Sequence, residues 1–260
     1  MDREQPAHYV KSAEKTLAVL LAFTTEEPRQ SVSRVAAGTD MSRAAARRFL
    51  LTLTDLGYLR TDGSFFELAP RCLDIGASFL ANLTLPQIAE PHLKQLATEL
   101  NETTSLCILD GTDIVYVARV ASPRLLSVSI NVGTRFPAWA TSMGRVLIAG
   151  LSQAGHDAYF ESVQLQQFTQ RSISSIDDLR AEIDRTAARG WAMVTQELEE
   201  GLRGIAVPVR RGSGVIAAVN VSLQTHRAPE EVIEQTIVPL LKDAARQIGE
   251  DFGGRRNQPF

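Results

Sequence analysis

A helix followed by a hairpin is encoded in residues 42–63, which read Ser42-Arg-Ala-Ala-Ala-Arg-Arg-Phe-Leu-Leu-Thr-Leu-Thr-Asp-Leu-Gly-Tyr-Leu-Arg-Thr-Asp-Gly63. Ser42 is a typical helix N-cap, and apolar residues recur every three or four positions up to Gly57, which predicts a helix with one buried stripe. The Asp62-Gly63 pair between two β-prone runs predicts a hairpin with a type I′ turn, because both central residues of that turn need positive φ. The stretch therefore predicts a helix and a hairpin in direct succession.

Two shorter helices are predicted upstream of this stretch. Residues 17–23 form an apolar face after Ser12, a plausible N-cap, and residues 32–38 form a second helix that ends at a glycine. Three helices and a hairpin within residues 10–70 is the order of a winged helix-turn-helix, a module whose third helix fits the major groove of DNA. A small α+β interaction module has the same order and remains the alternative.

Charge is distributed unevenly along the chain. The 260 residues include 27 basic and 30 acidic ones, a formal charge of −3, so the chain as a whole has no electrostatic attraction to nucleic acid or membrane. Residues 41–60, however, contain four arginines and a single acidic residue, Asp55. DNA phosphates attract such a basic stripe, although a solvated helix face has the same charge pattern. The residues expected at DNA are Ser42, Arg43, Ala44 and Arg47 near base edges and Arg48 and Arg60 near phosphates.

The pattern changes after the hairpin. Residues 71–84 predict a linker helix whose apolar face has no partner within the first module, so the next domain or a second copy must cover it. Residues 85–252 predict an α+β domain in which an antiparallel sheet is flanked by helices. Strands are predicted over 105–109, 113–119, 125–132, 204–210 and 215–223, and helices over 86–100, 144–151, 152–163, 176–189 and 229–252. The last helix is expected to be bent or interrupted near Pro239, and the tail 253–260 to be disordered.

No complete catalytic or metal-binding motif is found. The stretch Ala140-Thr-Ser-Met-Gly144 lacks the first glycine of the G-x-S-x-G nucleophile elbow. Gly212-Ser-Gly214 precedes a β-branched run, which predicts a hairpin turn and not a dinucleotide-binding loop. The four histidines and two cysteines have no metal-ligand spacing. We expect that the protein is not an enzyme and that it binds no cofactor and no metal. A serine hydrolase using Ser142 and a ligand-sensing protein-interaction scaffold remain the alternatives.

The compartment is predicted from three observations. Residues 1–8 lack the apolar segment of a secretory signal, and Cys72 and Cys107 supply no disulfide framework. The apolar run over residues 17–23 is far shorter than the ~20 residues needed to span a bilayer. These observations predict a cytoplasmic protein with no membrane partner.

A series of motifs resembles one known family, in the same order and spacing over residues 10–250. The motifs are residues 12–20, 42–53, 56–59, 66–71, 131–145, 197–209 and 217–222. On these residues the chain resembles the IclR family of bacterial transcriptional regulators. The resemblance implies a winged helix-turn-helix, a linker helix and a GAF-like effector-binding domain. It also implies a homodimer or a dimer of dimers, which would bind a pseudo-palindromic operator in double-stranded DNA.

Three short motifs resemble a subgroup that regulates aromatic-acid catabolism. They are Ala-Arg-Arg at 46–48, Thr-Asp-Gly at 61–63 and Thr-Ser-Met-Gly-Arg at 141–145. Members of this subgroup respond to protocatechuate, 4-hydroxybenzoate or acids of the β-ketoadipate pathway. The resemblance therefore implies that the effector is a small organic acid, and the subgroup implies an aromatic one.

Effector contacts carry over from the family to the loop 139–144, to Gly204 and to the pair Asn220 and Ser222. Alternation along the final strand independently places Asn220 and Ser222 on one face. An acid also needs a cation, and Arg135 or Arg145 is expected to bind it, with Arg119 and Arg203 as further candidates. The expected effector-binding residues are Arg135, Trp139, Thr141, Ser142, Met143, Gly144, Arg145, Gly204, Asn220 and Ser222.

Overall fold

The structure, a computed structural model, describes residues 6, 8–82, 84–122 and 130–255. The chain divides into two compact units, residues 1–82 and residues 83–260. Helices and antiparallel sheets occur in both units, which confirms the predicted α+β class. Among the described residues, no helix has the length and apolar character needed to cross a membrane.

The first unit packs three helices against a small sheet, with a fourth helix at its end. Val19, Leu50 and Phe66 lie in its core, contributed by the first helix, the third helix and the hairpin. Its elements are α1 (Lys11–Leu21), β1 (Arg29–Gln30), α2 (Val32–Gly38), α3 (Arg43–Asp55), β2 (Leu59–Thr61), β3 (Phe66–Leu68) and α4 (Cys72–Asn82). The strands are antiparallel in the order β1-β3-β2. This is the predicted helix-turn-helix with a hairpin.

The hairpin has a four-residue loop, so the predicted two-residue type I′ turn is wrong. Residues 62–65 lie outside the β2–β3 register, and only Gly63 of the predicted pair has a positive φ, of 98°. The Asp62 carboxylate instead accepts two backbone N–H groups of the loop, at 2.9 and 2.8 Å. These hydrogen bonds lower the pKa of Asp62 below its ordinary value. Side-chain bonding therefore closes the loop where a second positive φ was expected.

The second unit is built on a six-stranded antiparallel sheet. Its elements are α5 (Thr84–Leu100), β4 (Thr103–Asp110), β5 (Asp113–Val120), β6 (Arg135–Pro137), α6 (Ser142–Ala149), α7 (Gln153–Ser162), α8 (Ile176–Arg189), β7 (Ala192–Thr195), β8 (Leu202–Arg211), β9 (Gly214–Gln224), α9 (Glu230–Val232) and α10 (Val238–Arg255). The strand order is β6-β5-β4-β9-β8-β7. A 3-10 turn over Ala138–Ala140 precedes α6.

The two faces of this sheet are covered differently. On β9, Val219, Val221 and Leu223 point into a core shared with α5 and α10. The alternate positions, which include Asn220 and Ser222, face α6, where the side chains are small or polar. Short side chains on this second face leave room between the sheet and the beginning of α6.

Two short strands of the second unit were not predicted. Arg135–Pro137 and Ala192–Thr195 are strands of three and four residues. Such lengths are too short to show an alternating pattern in the sequence. A strand was predicted over 125–132 instead; residues 125–129 lie outside the described residues, and residues 130–132 are not in a strand. That prediction is wrong for its described part.

The C-terminal helix is interrupted near Pro239, as predicted. Its irregular part is a π-helical segment, Ile233–Ile237, which lies just before Pro239. Pro239 lies within the continuous helical run over residues 230–255, and because it has no N–H it cannot donate to the preceding turn, where the π-helical segment changes the hydrogen-bond pattern. The tail 253–260 was expected to be disordered, and this is wrong for residues 253–255, which continue α10. Residues 256–260 lie outside the described residues.

Candidate nucleic-acid interface and ligand cavity

Helix α3 presents an exposed basic face. Its apolar stripe, which includes Leu50, is buried in the first unit, and the Ser42 hydroxyl caps its N-terminus by accepting the N–H of Ala45 at 3.2 Å. The opposite face, which includes the predicted DNA-contacting residues of the helix, is exposed. These residues are Ser42, Arg43, Ala44, Arg47 and Arg48. In the described part of the chain, no carboxylate lies within ion-pair distance of the three arginines.

The hairpin next to α3 carries arginines whose charges are already paired. Arg60 is exposed and forms an ion pair with Glu67 of the facing strand at 2.7 Å. Arg29 on β1, which was not predicted, pairs with Asp62 at 2.5 Å, and its guanidinium carbon lies 5.4 Å from the centre of the Phe65 ring. The hairpin is therefore closer to electroneutrality than the helix, so the helix is the stronger attractor of phosphate.

A cavity of about 330 Å³ lies in the second unit, between the sheet and the beginning of α6. This volume is at the lower end of the range for small-molecule sites. The loop over residues 196–201 and the end of β9 complete its walls, and neither was predicted. The predicted effector residues that line it are Thr141, Ser142, Met143, Gly204, Asn220 and Ser222.

Two glycines allow the backbone of α6 to approach its neighbours. A Cβ atom on Gly144 would lie 2.0 Å from the carbonyl oxygen of Ala138, so a side chain there is incompatible with the packing. A Cβ atom on Gly204 would lie 2.8 Å from the Ser142 hydroxyl. Gly144 therefore has a packing role and does not line the cavity, which corrects its prediction as a ligand contact.

Asn220 lines the cavity and has a side-chain oxygen without a hydrogen-bond partner in the described part of the chain. The side chain is buried, and its Nδ2 donates a hydrogen bond to the Ser222 hydroxyl at 2.9 Å. Its Oδ1 has no hydrogen-bond partner among the described residues. A buried carbonyl oxygen without a donor costs roughly 1–3 kcal/mol. A ligand that carries an O–H or N–H group would remove this cost.

Arg145 and Trp139 lie behind the cavity. The Arg145 guanidinium is 2% exposed, pairs with Glu197 at 2.5 Å and donates from Nε to the Trp139 carbonyl oxygen at 3.0 Å. The Trp139 ring stacks on Phe168, with ring centres 5.8 Å apart. Because Glu197 belongs to the loop over residues 196–201, this buried ion pair fastens that loop to α6. The structure corrects the prediction that Arg145 or Trp139 contacts the ligand directly. Both residues instead support the wall of the cavity from behind.

Arg135 lies on the edge strand β6. It is partly exposed and pairs with Asp110 at 2.8 Å and with Asp113 at 3.4 Å. It is not among the residues that line the cavity, and its guanidinium is engaged by two aspartates, so the structure gives no support to the prediction that it binds the effector carboxylate. Within the described residues, no group of three His, Cys, Asp or Glu side chains is arranged to hold a metal ion.

Together, an exposed basic helix in a helix-turn-helix unit and a ligand-sized cavity in a second unit are the features of a DNA-binding regulator with a ligand-binding domain. Two family profiles match the chain: the IclR helix-turn-helix domain over residues 12–63 and the bacterial transcriptional regulator IclR C-terminal domain over residues 77–250. The protein belongs to the IclR family of bacterial transcriptional regulators, which confirms the resemblance found in the sequence.

Relatives with known names support the same class. The Pca regulon regulatory protein of Pseudomonas putida is 38% identical over 242 residues, covering 92% of this chain and 83% of that protein. The p-hydroxybenzoate hydroxylase transcriptional activator of Acinetobacter baylyi is 35% identical over 246 residues, covering 92% of this chain and 91% of that protein. Because these relatives are transcriptional regulators, the chain is a regulator and the alternative of a Ser142 hydrolase is set aside.

Solved structures share the fold over almost the whole chain. A transcriptional regulator from Rhodococcus sp. RHA1 is 45% identical, with a TM-score of 0.83, and the match covers 95% of this chain and 100% of that one. An IclR homolog from Microbacterium hydrocarbonoxydans, solved in complex with 4-hydroxybenzoate, has a TM-score of 0.80 at 23% identity, covering 93% of this chain and 99% of that one.

Proposed function

We propose that this regulator reads double-stranded DNA through α3 and responds to a small aromatic acid bound in the cavity of its second unit. The DNA role rests on one observation: three exposed arginines on α3 have no carboxylate partner among the described residues. The effector role rests on the cavity and on the unpaired oxygen of Asn220, one of its lining residues. A protein that binds the chromosome of a bacterium acts in the cytoplasm.

The exposed face of α3 is matched to the major groove. Arg43 and Arg47 are four residues apart, so their side chains lie on the same side of the helix. Arginine binds guanine O6 and N7 with two parallel hydrogen bonds, the commonest specific contact in the groove. Arg48 lies at the margin of this face and Arg60 on the hairpin, where both are suited to phosphates.

The DNA role is tested with a duplex selected from a random library by the wild-type protein and with a scrambled duplex of the same composition. Arg43→Ala is expected to weaken binding to the selected duplex by ~1–3 kcal/mol and to relax its preference over the scrambled one. Arg60→Ala is expected to weaken binding to both duplexes alike and to lessen the salt dependence. Arg185→Ala, in an exposed ion pair on α8, is the control and leaves both affinities unchanged.

Two outcomes of these titrations would count against the DNA role. Equal losses for Arg43→Ala and Arg60→Ala on both duplexes would contradict the division into base and phosphate contacts. Salt-insensitive binding, or no binding, by the wild-type protein would favour a ligand-sensing protein-interaction scaffold instead.

An aromatic acid suits the cavity in size and chemistry. Tyr116, Met143 and Val194 supply apolar wall, and the Asn220 carbonyl supplies an acceptor for a ring hydroxyl. The relatives from Pseudomonas putida and Acinetobacter baylyi are named for Pca and p-hydroxybenzoate functions, and the Microbacterium homolog binds 4-hydroxybenzoate. We infer that the effector is an aromatic acid of this type.

Thermal unfolding of the full chain tests the effector class. At about one hundred times its Kd, a ligand that binds only the folded state adds ~2.7 kcal/mol to the unfolding free energy, which corresponds to several degrees in Tm. We expect such a rise with 4-hydroxybenzoate or protocatechuate and none with succinate. A flat response to every aromatic acid would refute the effector class and leave the family assignment intact.

A homo-oligomer is proposed from the apolar surface of α4. Leu73 and Ile75 are 72% and 60% exposed in the single chain. A second copy that covers this face would bring two α3 helices to the two halves of a pseudo-palindromic operator. Light scattering is expected to give a dimer or a dimer of dimers, and Leu73→Lys is expected to lower the mass. A monomeric wild type would contradict this proposal.

A further inference from the structure

The cavity presents an electrostatic problem for an acid ligand. Its lining includes three carboxylates from one loop, Glu197, Glu199 and Glu200. Among the described residues that line it, none is an arginine or a lysine. Glu197 pairs with the buried guanidinium of Arg145 at 2.5 Å. Apart from His226, the described lining holds no basic side chain, so a permanently charged partner for a bound carboxylate has to come from beyond it.

Three arginines near the cavity are committed to other partners. Arg135 pairs with two aspartates on the edge of the sheet, and Arg145 pairs with Glu197. Arg203 donates from Nη1 to the Ala228 carbonyl oxygen at 2.9 Å and from Nε to the Thr195 hydroxyl at 3.1 Å. None of these guanidinium groups is available without breaking an existing contact.

Arg119 is the remaining arginine; it is not among the lining residues either, but the strand register places it on the sheet face that borders the cavity. Arg119 on β5 pairs in register with Ser105 on β4, and Ser105 pairs in turn with Asn220 on β9. Residues directly opposite each other in an antiparallel sheet point to the same face, so all three side chains share the face that borders the cavity. Tyr116, from the same strand as Arg119, already lines the cavity.

The row formed by these three residues contains polar groups that lack partners. The Ser105 hydroxyl and the Asn220 Oδ1 are buried and have no hydrogen-bond partner among the described residues. Arg119 is partly buried, and no described carboxylate forms an ion pair with it. Burial lowers the pKa of its guanidinium, but the ordinary value is so high that the group keeps its charge at neutral pH.

The beginning of α6 is the other electropositive feature near the cavity, and its distance from the row matches the size of an aromatic acid. Helix α6 begins at Ser142, whose side chain lies beside Gly204 on β8, and the first backbone N–H groups of a helix have no partner within it. Three strand spacings of ~4.8 Å separate β5 from β8 in the sheet, or about 14 Å between backbones. A ligand ring with substituents at opposite ends can span this gap. One substituent would lie at the start of α6 and the other at the guanidinium of an extended Arg119 side chain.

We propose that Arg119 binds the carboxylate of the effector, while the opposite end of the ligand lies at the start of α6. This inference rests on the proposed effector class and adds the residue that selects an acid over its neutral analogue. Arginine suits the role because its planar fork donates two parallel hydrogen bonds to a carboxylate. Burial strengthens such bonds, since less water competes for either partner.

Calorimetric titration of the full chain with 4-hydroxybenzoate and with 4-hydroxybenzamide tests the assignment. We expect the wild type to prefer the acid by about tenfold or more, as for a charge-assisted pair. Arg119→Gln is expected to lose most of this preference while keeping its affinity for the amide. Arg135→Gln, a change of the same kind on the neighbouring strand, is the control and keeps the preference.

The outcomes separate this inference from the effector class on which it rests. Acid preference retained by Arg119→Gln overturns the inference and leaves the effector class standing. Binding of neither compound by the wild type refutes the effector class for these ligands and the inference with it. Unfolding of the ligand-free variants is compared first; if Arg119→Gln is unfolded, Arg119→Lys decides. It is expected to keep a reduced preference for the acid, and an unchanged affinity for the acid would count against the bidentate contact.

Discussion

The exposed face of α3 and the cavity of the second unit differ in what their charged groups contact. On α3, neighbouring arginines of one helical turn face outward, and no described carboxylate pairs with them. Around the cavity, Arg145 and Glu197 are 52 positions apart, and their buried pair holds a loop in place. Replacing an exposed charge that has no partner is expected to change the free energy of folding little. Replacing one member of a buried ion pair is expected to destabilise the fold, because the other charge is left unpaired.

The largest effect that follows from this comparison is expected at Arg145. Arg145→Ala leaves Glu197 without its cation in a site where that side chain is only 12% exposed. We expect the free energy of unfolding of the second unit to fall by about 3–5 kcal/mol. Urea unfolding followed by tryptophan fluorescence measures this, because both tryptophans lie in the second unit. Arg246→Ala, in an exposed pair, is the matched control, and a similar loss there would contradict the distinction.

A slightly smaller loss is expected at Gly144. The alanine methyl group would meet the Ala138 backbone at 2.0 Å, and backbone atoms yield less readily than side chains. We expect Gly144→Ala to destabilise the second unit by ~3 kcal/mol, the upper part of the range for overpacking. Gly253→Ala, where a methyl group meets nothing within 4 Å, is the control in the same assay. Equal stability of the two variants would show that α6 shifts freely, against the packing argument.

Gly204 tests the cavity itself. The methyl group of Gly204→Ala would approach the Ser142 hydroxyl at 2.8 Å, a group that rotation can move away. We expect a cost of about 1 kcal/mol in stability and a weaker Tm response to 4-hydroxybenzoate. The double variant Ser142→Ala with Gly204→Ala is expected to recover the stability, because the close contact is gone. If the double variant does not recover the stability, the loss in Gly204→Ala does not come from the contact with Ser142.

The smallest effect is expected on α3. Arg47 is exposed and has no described ion-pair partner, so Arg47→Ala is expected to change the stability of the first unit by less than ~0.5 kcal/mol. Ser42→Ala, which removes the helix cap, is expected to cost about 1 kcal/mol in the same unit. Thermal unfolding followed by circular dichroism compares the two. A large loss for Arg47→Ala would mean that its side chain supports the fold.

The sequence predicted the first unit better than the cavity for a physical reason. Ser42 and the apolar stripe after it lie within one helix, so local periodicity and capping are enough to predict α3. The hairpin was located correctly, but its loop is closed by the Asp62 carboxylate, a contact that the Asp-Gly signal does not specify. Strands β6 and β7 are too short to produce a periodic signal.

At the cavity, residue identity was predicted more readily than residue role. Asn220 and Ser222 were placed on one face by alternation, and the structure finds both in the lining. The roles of Arg135 and Arg145 were not predictable, because their partners come from other strands and loops. From the sequence alone, an arginine next to a predicted ligand-binding loop is equally expected to bind a ligand or to pair with a carboxylate of the same chain.

The sequence by itself determined the helix-turn-helix, the antiparallel domain and the family, because these follow from local periodicity, capping and ordered motifs. Only the tertiary structure decided which charges are free, since ion pairing depends on side chains that meet through folding. Glu197 meets Arg145, Asp110 meets Arg135, and Arg119 is left in a row with Ser105 and Asn220. Pairing of strands that are distant in the sequence creates that row, and the sequence shows no local sign of it.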